Sequence, residues 1–151
     1  MRILIVEDEF NLADIISSRL KKEKYTVDIA TNGEDGLFNA LSGIYNLIIL
    51  DVMLPYINGF EILKQIRENK IDVKVIMLTA KSELEDKLEG FKDGADDYVT
   101  KPFHIEELVA RVNVQLRKDD SNNIVDFLQV GDLKLNLKNS NILCTKTNYK
   151  L

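Results

Sequence analysis

Side chains able to bind a metal ion or carry a phosphoryl group follow four short apolar runs. Glu7 and Asp8 come directly after the first run, Asp51 after a second, Thr79 after a third and Lys101 after a fourth. Placed together, the three carboxylates would repel one another, and a hard divalent cation such as Mg²⁺ relieves that repulsion. A carboxylate beside a metal ion and a lysine is a nucleophile for a phosphoryl group, and a hydroxyl can hydrogen-bond to the oxygens of that group. The set therefore predicts metal-dependent phosphoryl transfer, provided that the fold brings its members together.

The apolar runs predict strands of a parallel sheet. They lie at residues 3–6, 47–50, 73–78 and 98–99, with a weaker run at 25–30. The first three are nearly continuous rather than alternating, which is typical of strands covered by helices on both faces. Amphipathic stretches with helical spacing follow each run, so that five strand–helix units are expected. Repeated units of this kind predict an α/β fold with an open, doubly wound parallel sheet.

The predicted sheet places the candidate residues at one edge. Ligands of open α/β sheets bind outside the carboxyl ends of the strands, and all five candidate residues lie there. A single acid after a strand is often only a helix N-cap, and Asp8 taken alone fits that interpretation. Three carboxylates, a hydroxyl and an amine at the same edge are not explained by capping.

The composition favours a cytoplasmic protein in a reducing compartment. A chain of 151 residues has room for one domain, or for one domain and part of another. Its 20 Lys+Arg against 25 Asp+Glu give a net charge of -5, without the basic excess of a nucleic-acid binder. The one cysteine, Cys144, excludes an internal disulfide. No apolar run approaches the ~20 residues that cross a membrane, and the N-terminus lacks a signal-peptide pattern.

The sequence changes character after Lys118. Residues 119–126 begin with a polar, turn-forming stretch that predicts a linker. In residues 127–151, leucines alternate with polar residues between turn signals, which predicts a short antiparallel β fragment. So short a fragment cannot bury a core of its own. We expect it either to dock on another surface or to begin a further domain.

Four motifs at the predicted strand ends are similar to those of one protein family. They are Val6-Glu7-Asp8-Glu9, Asp51-Val52-Met53-Leu54-Pro55 with Asn58-Gly59, Leu78-Thr79-Ala80, and the run from Gly94 to Phe103. As a set they resemble the receiver domain of bacterial two-component response regulators, and the last run resembles the OmpR/PhoB subfamily in particular. Residues 128–151 resemble the opening sheet of that subfamily's winged-helix DNA-binding domain. The resemblance implies a receiver domain at 1–118, a linker at 119–126 and a truncated winged-helix start at 127–151.

The resemblance also implies a phosphoacceptor and its metal ion. The implied sheet order is 2-1-3-4-5. Asp51 corresponds to the aspartate that accepts a phosphoryl group from a sensor histidine kinase. Mg²⁺ would be held by Glu7, Asp8, Asp51 and the main-chain carbonyl of Met53. The implied function is that of a phosphorylated regulator rather than an enzyme, although the domain assists its own phosphorylation and dephosphorylation.

Further residues take implied roles in signalling. Thr79 and Lys101 correspond to the phosphoryl contacts, and Tyr98 to the switch aromatic that turns inward as Thr79 moves toward the phosphate. The Lys101-Pro102 bond corresponds to a cis peptide. Members of the subfamily form homodimers on phosphorylation through charged pairs between subunits; the corresponding residues here are Lys87 with Glu107 and Asp97 with Arg111. A charged helix face is often merely solvated, so this interface depends on the resemblance.

Three alternative functions fit the residues less well. A phosphatase of the haloacid-dehalogenase type needs a second aspartate two residues after the nucleophile, where this chain has Met53. A flavodoxin-like nucleotide binder needs a phosphate-binding loop after the first strand, where residues 7–9 are all acidic. A stand-alone receiver acting through protein contacts would normally end near residue 118. Residues 119–151 contain four Lys and four Asp, so we expect the given chain not to bind DNA specifically and DNA binding to need the rest of the winged-helix domain.

Overall fold

A computed structural model describes residues 1–80 and 94–117 of the chain. In these ranges strands and helices alternate as β1 (Arg2–Val6), α1 (Phe10–Lys22), β2 (Thr26–Ala30), α2 (Gly33–Ala40), β3 (Leu47–Asp51), α3 (Gly59–Glu68), β4 (Lys74–Ala80), β5 (Asp97–Lys101) and α4 (Ile105–Leu116). The helix predicted after the apolar run at 73–78, the linker and the β fragment lie outside the described residues. Among the helices that the structure describes, none is long and apolar enough to cross a membrane.

The five strands form one parallel sheet in the order β2-β1-β3-β4-β5. The order confirms the predicted doubly wound α/β fold. The chain adds β2 on one side of β1 and then β3 on the other, so the direction of winding reverses between β1 and β3. Val6 pairs with Leu50 at the carboxyl end of these two strands. The crevice at such a reversal is where ligands of this fold class bind.

The central strands are buried on both faces. Residues 3–6 and 47–50 have no exposed surface, which agrees with their continuous apolar sequence. Leu4, Val6, Ile48 and Leu50 pack in a cluster with the apolar face of α3. Since successive strand side chains point to opposite faces, the buried residues between them belong to the other layer. Full burial stabilises each Leu or Ile side chain by about 1.5–3 kcal/mol, so β1 and β3 are firmly packed up to their carboxyl ends.

Arg67, near the end of α3, fixes the chain just before β5. Its guanidinium donates to the Gly94 carbonyl at 2.8 and 3.0 Å and to the Val73 carbonyl at 2.8 Å. It also pairs with Asp96 at 3.1 Å, and the same carboxylate accepts the Val75 N–H at 2.8 Å. These bonds tie the entry of β5 to the start of β4.

Candidate functional site

The predicted residues meet at the carboxyl edge of the sheet, where its strands end. Glu7 follows β1, Asp51 is the last residue of β3, and Lys101 is the last residue of β5. Thr79 pairs with Thr100 in the register of β4 and β5. Glu7, Asp51 and Thr79 are buried; burial is unusual for the two acids in particular, and all three polar groups need compensating contacts.

Asp8 completes a group of three carboxylates. Glu7, Asp8 and Asp51 each offer an oxygen, and the three oxygens lie within 4.8 Å of one another; Asp8 is exposed whereas the other two are buried. The N-cap residue of α1 is Glu9, so Asp8 does not cap that helix. Mg²⁺ binds through one or two carboxylates and retains several waters. The donor set, with two buried acids and one facing solvent, fits such an ion.

Lys101 supplies the positive charge inside the group. Its Nζ donates to Glu7 Oε1 at 3.0 Å and to Asp51 Oδ2 at 3.3 Å. The Lys101 side chain is 30% exposed, so the ion pairs are only partly screened by water. One ammonium thus faces two buried carboxylates, and the site keeps an excess of negative charge.

The ionisation of the site reflects burial first and this excess of negative charge second. Burial raises the pKa of Glu7 to about 7, and the charge of Asp51 adds to the rise, while hydrogen bonds from the Glu9 N–H and Lys101 oppose it. Burial also raises the pKa of Asp51, against the opposing charge of Lys101. Burial lowers the pKa of Lys101, but the hydrogen bond to Glu7 and the charge of Asp51 outweigh burial and the net shift is upward. A divalent cation would favour the ionised form of both acids.

Hydrogen bonds within the loop after β3 fix the position of Asp51. The Met53 N–H donates to Asp51 Oδ1 at 3.3 Å, and the Gly59 N–H donates to the Val52 carbonyl at 2.9 Å. A Cβ on Gly59 would lie 2.3 Å from the Asp51 carbonyl oxygen, so only glycine fits at this position. The motif Asn58-Gly59 does not by itself predict this close approach, because a glycine in a sequence is equally typical of a turn. The metal contact through the Met53 carbonyl stays a prediction.

The predicted phosphoryl contact and switch residue lie beside this group. The Thr79 hydroxyl donates to the Ala80 carbonyl at 3.4 Å. Tyr98 is 3% exposed and packs in the cluster that contains Ile66, Val75 and Met77. The structure thus places the Tyr98 ring inward. The coupling of its position to Thr79 stays a prediction.

The residues predicted to pair between subunits are partly paired within the chain. Arg111 Nη1 donates to both carboxylate oxygens of Asp97, at 2.8 and 2.9 Å. Arg111 Nε also lies 3.4 Å from Glu107 Oε2. Lys87 lies outside the described residues. A pairing of Asp97 with Arg111 between subunits would therefore replace an existing intrachain ion pair.

Comparison with known proteins identifies the family. The response regulator receiver domain matches residues 3–113. Response regulator ArlR of Staphylococcus saprophyticus is 47% identical over 154 residues, covering 99% of this chain and 70% of that protein. The BeF3-activated receiver domain of DrrB, described as a Thermotoga maritima OmpR/PhoB homologue, is 40% identical with a TM-score of 0.70, covering 78% of this chain and 97% of that one.

A second similar structure from Thermotoga maritima contains Mg²⁺ together with a beryllium fluoride. Response regulator TrrA in complex with Mg(2+)-BeF is 42% identical with a TM-score of 0.68, covering 76% of this chain and 98% of that one. The predicted receiver fold and the similarity to OmpR/PhoB proteins are thus confirmed, whereas the winged-helix start stays a prediction. The chain belongs to the response regulators of two-component systems and carries their receiver domain.

Proposed function

We propose that Asp51 accepts a phosphoryl group from a sensor histidine kinase with the help of Mg²⁺, and that phosphorylation changes the partners of the chain in the cytoplasm. One observation carries the proposal: the carboxylate oxygens of Glu7, Asp8 and Asp51 lie within 4.8 Å of one another, with Lys101 Nζ 3.3 Å from Asp51. Close, partly buried carboxylates repel one another, and a bound cation relieves that repulsion. A phosphoryl group would in turn be bound by the cation and by Lys101.

Each residue has a role in the transfer. An Asp51 oxygen attacks the phosphorus, the bond from phosphorus to the imidazole nitrogen breaks, and the imidazole leaves with the electron pair. Mg²⁺, held by Asp8 and Asp51 with Glu7 and the Met53 carbonyl, would offset the charge on the phosphoryl oxygens. Lys101 needs only a small shift from Asp51 Oδ2, 3.3 Å away, to bind one of these oxygens. Attack by water on the phosphorus later breaks the bond to Asp51, releases inorganic phosphate and restores the carboxylate, so the chain is a regulator that assists its own dephosphorylation.

The output begins at Thr79 and Tyr98. We propose that the Thr79 hydroxyl, now directed at the Ala80 carbonyl at 3.4 Å, turns to the phosphoryl group. The Tyr98 ring, which is already buried, would then be held in its inward position next to the space that Thr79 vacates. The buried position of Tyr98 in the structure is compatible with this inward state.

Removal of the metal ion should abolish the reaction. With acetyl phosphate and Mg²⁺, the intact mass of the chain should rise by one phosphoryl group, because the donor needs no partner protein. With EDTA in place of Mg²⁺ the rise should disappear, since Lys101 alone cannot balance two buried carboxylates and a phosphoryl group. Addition of excess Mg²⁺ to the EDTA sample should restore uptake. Equal uptake with and without the metal would contradict the proposed site.

Activation should also change the oligomeric state. We propose a homodimer that uses Lys87 with Glu107 and Asp97 with Arg111. Light scattering should show a rise from monomer to dimer mass on addition of beryllofluoride and Mg²⁺. Each exposed pair contributes only ~0–1 kcal/mol, so Arg111→Ala should weaken the dimer rather than eliminate phosphoryl uptake. An unchanged mass on activation would contradict the dimer.

DNA binding is proposed for the protein that includes the rest of the winged-helix domain. The similarity to ArlR covers 99% of this chain, so it extends past the receiver domain into residues 119–151. This extent favours a linker at 119–126 and a further domain beginning at 127 over a stand-alone receiver that acts only through protein contacts.

A further inference from the structure

Tyr56 has a backbone conformation that tyrosine rarely adopts. Its φ is 72°, and the Ile57 N–H donates to the Pro55 carbonyl at 2.8 Å, which closes a three-residue γ-turn around it. Such turns with positive φ are rare and strained, and a bulky side chain makes them more so. Glycine would satisfy this turn without strain. The aromatic side chain therefore requires another explanation.

The strain does not serve to bury the ring. Tyr56 is 95% exposed, so its ring adds almost nothing to the core. Met53, in the same loop, is 66% exposed. We name residues 52–58 the acceptor loop, because it begins next to Asp51. Strained residues without a packing role are found mainly at binding and catalytic sites.

The acceptor loop has a hydrogen bond near each of its ends. At its start, the Met53 N–H donates to Asp51 Oδ1 at 3.3 Å. At its end, the Asn58 side chain accepts the Glu61 N–H at 3.0 Å and so caps α3. These bonds restrict the ends of the loop, which lowers the entropic cost for a partner that binds Tyr56.

The charges around the loop define the partner surface that fits it. Asp8 and Glu9, after β1, and Glu61, in the first turn of α3, are all exposed. The described loops at the carboxyl ends of the strands, at 7–9, 31–32, 52–58 and 102–104, contain no Lys or Arg. A complementary surface has an apolar pocket for an aromatic ring, surrounded by basic side chains.

We propose that Tyr56 is a docking and specificity residue for the protein domain that carries the phosphohistidine. This inference rests on the proposed function of Asp51. Because Asp51 is only 4% exposed, a phosphoimidazole can reach it only when the donor's surface comes against the surrounding loops. A small donor such as acetyl phosphate reaches Asp51 without that contact. Exposed aromatic anchors are frequent among the residues that dominate binding energy.

The test compares two donors on three variants. The probes are acetyl phosphate and a panel of purified, autophosphorylated histidine-kinase domains from the organism that encodes the chain. Tyr56→Gly removes the ring and relieves the strain, whereas Tyr56→Phe retains the ring. Phe38→Ser is the matched control, because Phe38 is 78% exposed on α2, outside the acceptor loop.

With the kinase that serves the wild-type chain best, Tyr56→Gly should raise KM about tenfold while kcat changes little. Tyr56→Phe and Phe38→Ser should stay near the wild-type KM. Uptake from acetyl phosphate and the thermal unfolding midpoint of Tyr56→Gly should not fall. Added salt should raise KM for the kinase, as expected for complementary charges.

The docking proposal is overturned if no kinase in the panel distinguishes Tyr56→Gly from the wild-type chain. It is also overturned if Tyr56→Gly loses uptake from both donors together with stability, because the role of Tyr56 is then structural. If the wild-type chain takes up no phosphoryl group from acetyl phosphate, the proposed function of Asp51 fails instead. The two donors therefore separate the two failures.

Discussion

Asp51→Asn is expected to take up no phosphoryl group from acetyl phosphate in the presence of Mg²⁺. The amide has no anionic oxygen to attack phosphorus, and it removes one of the three carboxylates that lie within 4.8 Å of one another. Asparagine has nearly the same size as aspartate, so the surrounding loop should keep its conformation. Intact mass spectrometry after a fixed incubation measures the uptake.

The matched control for this substitution is Asp72→Asn. Asp72 is exposed in the connection between α3 and β4, at the edge of the sheet away from the carboxylates. This variant should gain the phosphoryl group at the wild-type rate. Uptake by Asp51→Asn as fast as by the control would mean that Asp51 is not the acceptor.

Gly59→Ala should lower the free energy of unfolding by about 2–3 kcal/mol. Helix propensity alone predicts the opposite, because alanine is better than glycine in a helix by about 1 kcal/mol. The packing decides the sign: a Cβ would lie 2.3 Å from the Asp51 carbonyl oxygen and 2.9 Å from Val52 Cα. Both are backbone atoms, so no side-chain rotation can relieve the clash, and β3 and α3 must separate.

Urea denaturation measures this loss, and the rate of phosphoryl uptake should fall with it because Asp51 itself is displaced. Gly43→Ala is the control, since a Cβ at Gly43 has nothing within 4 Å and pays only for its φ of 78°. That variant should lose about 1 kcal/mol and keep the wild-type rate of uptake. If Gly59→Ala is as stable as the wild-type chain, the close approach of α3 to Asp51 is wrong.

Much of the fold was predictable because the apolar pattern is strong. The runs at residues 3–6 and 47–50 have no polar residue and became the fully buried strands β1 and β3. Because the carboxyl ends of parallel strands share one edge of the sheet, the strand pattern also predicts that Glu7, Asp51 and Lys101 lie together. The start of α2 also follows a local rule: asparagine is favoured at a helix N-cap, and the Asn32 side chain accepts the Asp35 N–H at 2.8 Å.

Contacts between polar groups that lie far apart in the sequence were not predictable. Arg67 and Gly94 are 27 positions apart, and no periodic pattern relates them. The ion pair of Asp97 with Arg111 within one chain was equally hidden, because either partner could satisfy the same charge from another subunit. The positive φ of Tyr56 had no signal either, since turn propensities favour glycine or asparagine there.

The location of the phosphoryl group tests the central claim most directly. After treatment with acetyl phosphate and Mg²⁺, borohydride reduces the acyl phosphate to a stable product. Trypsin then releases two peptides of interest: residues 25–64 contain Asp51, and residues 3–19 contain Glu7 and Asp8. The predicted result is modification at Asp51 in the 25–64 peptide, lost when EDTA replaces Mg²⁺. Modification of Asp8, or of any carboxylate other than Asp51, would contradict the proposed phosphoacceptor site.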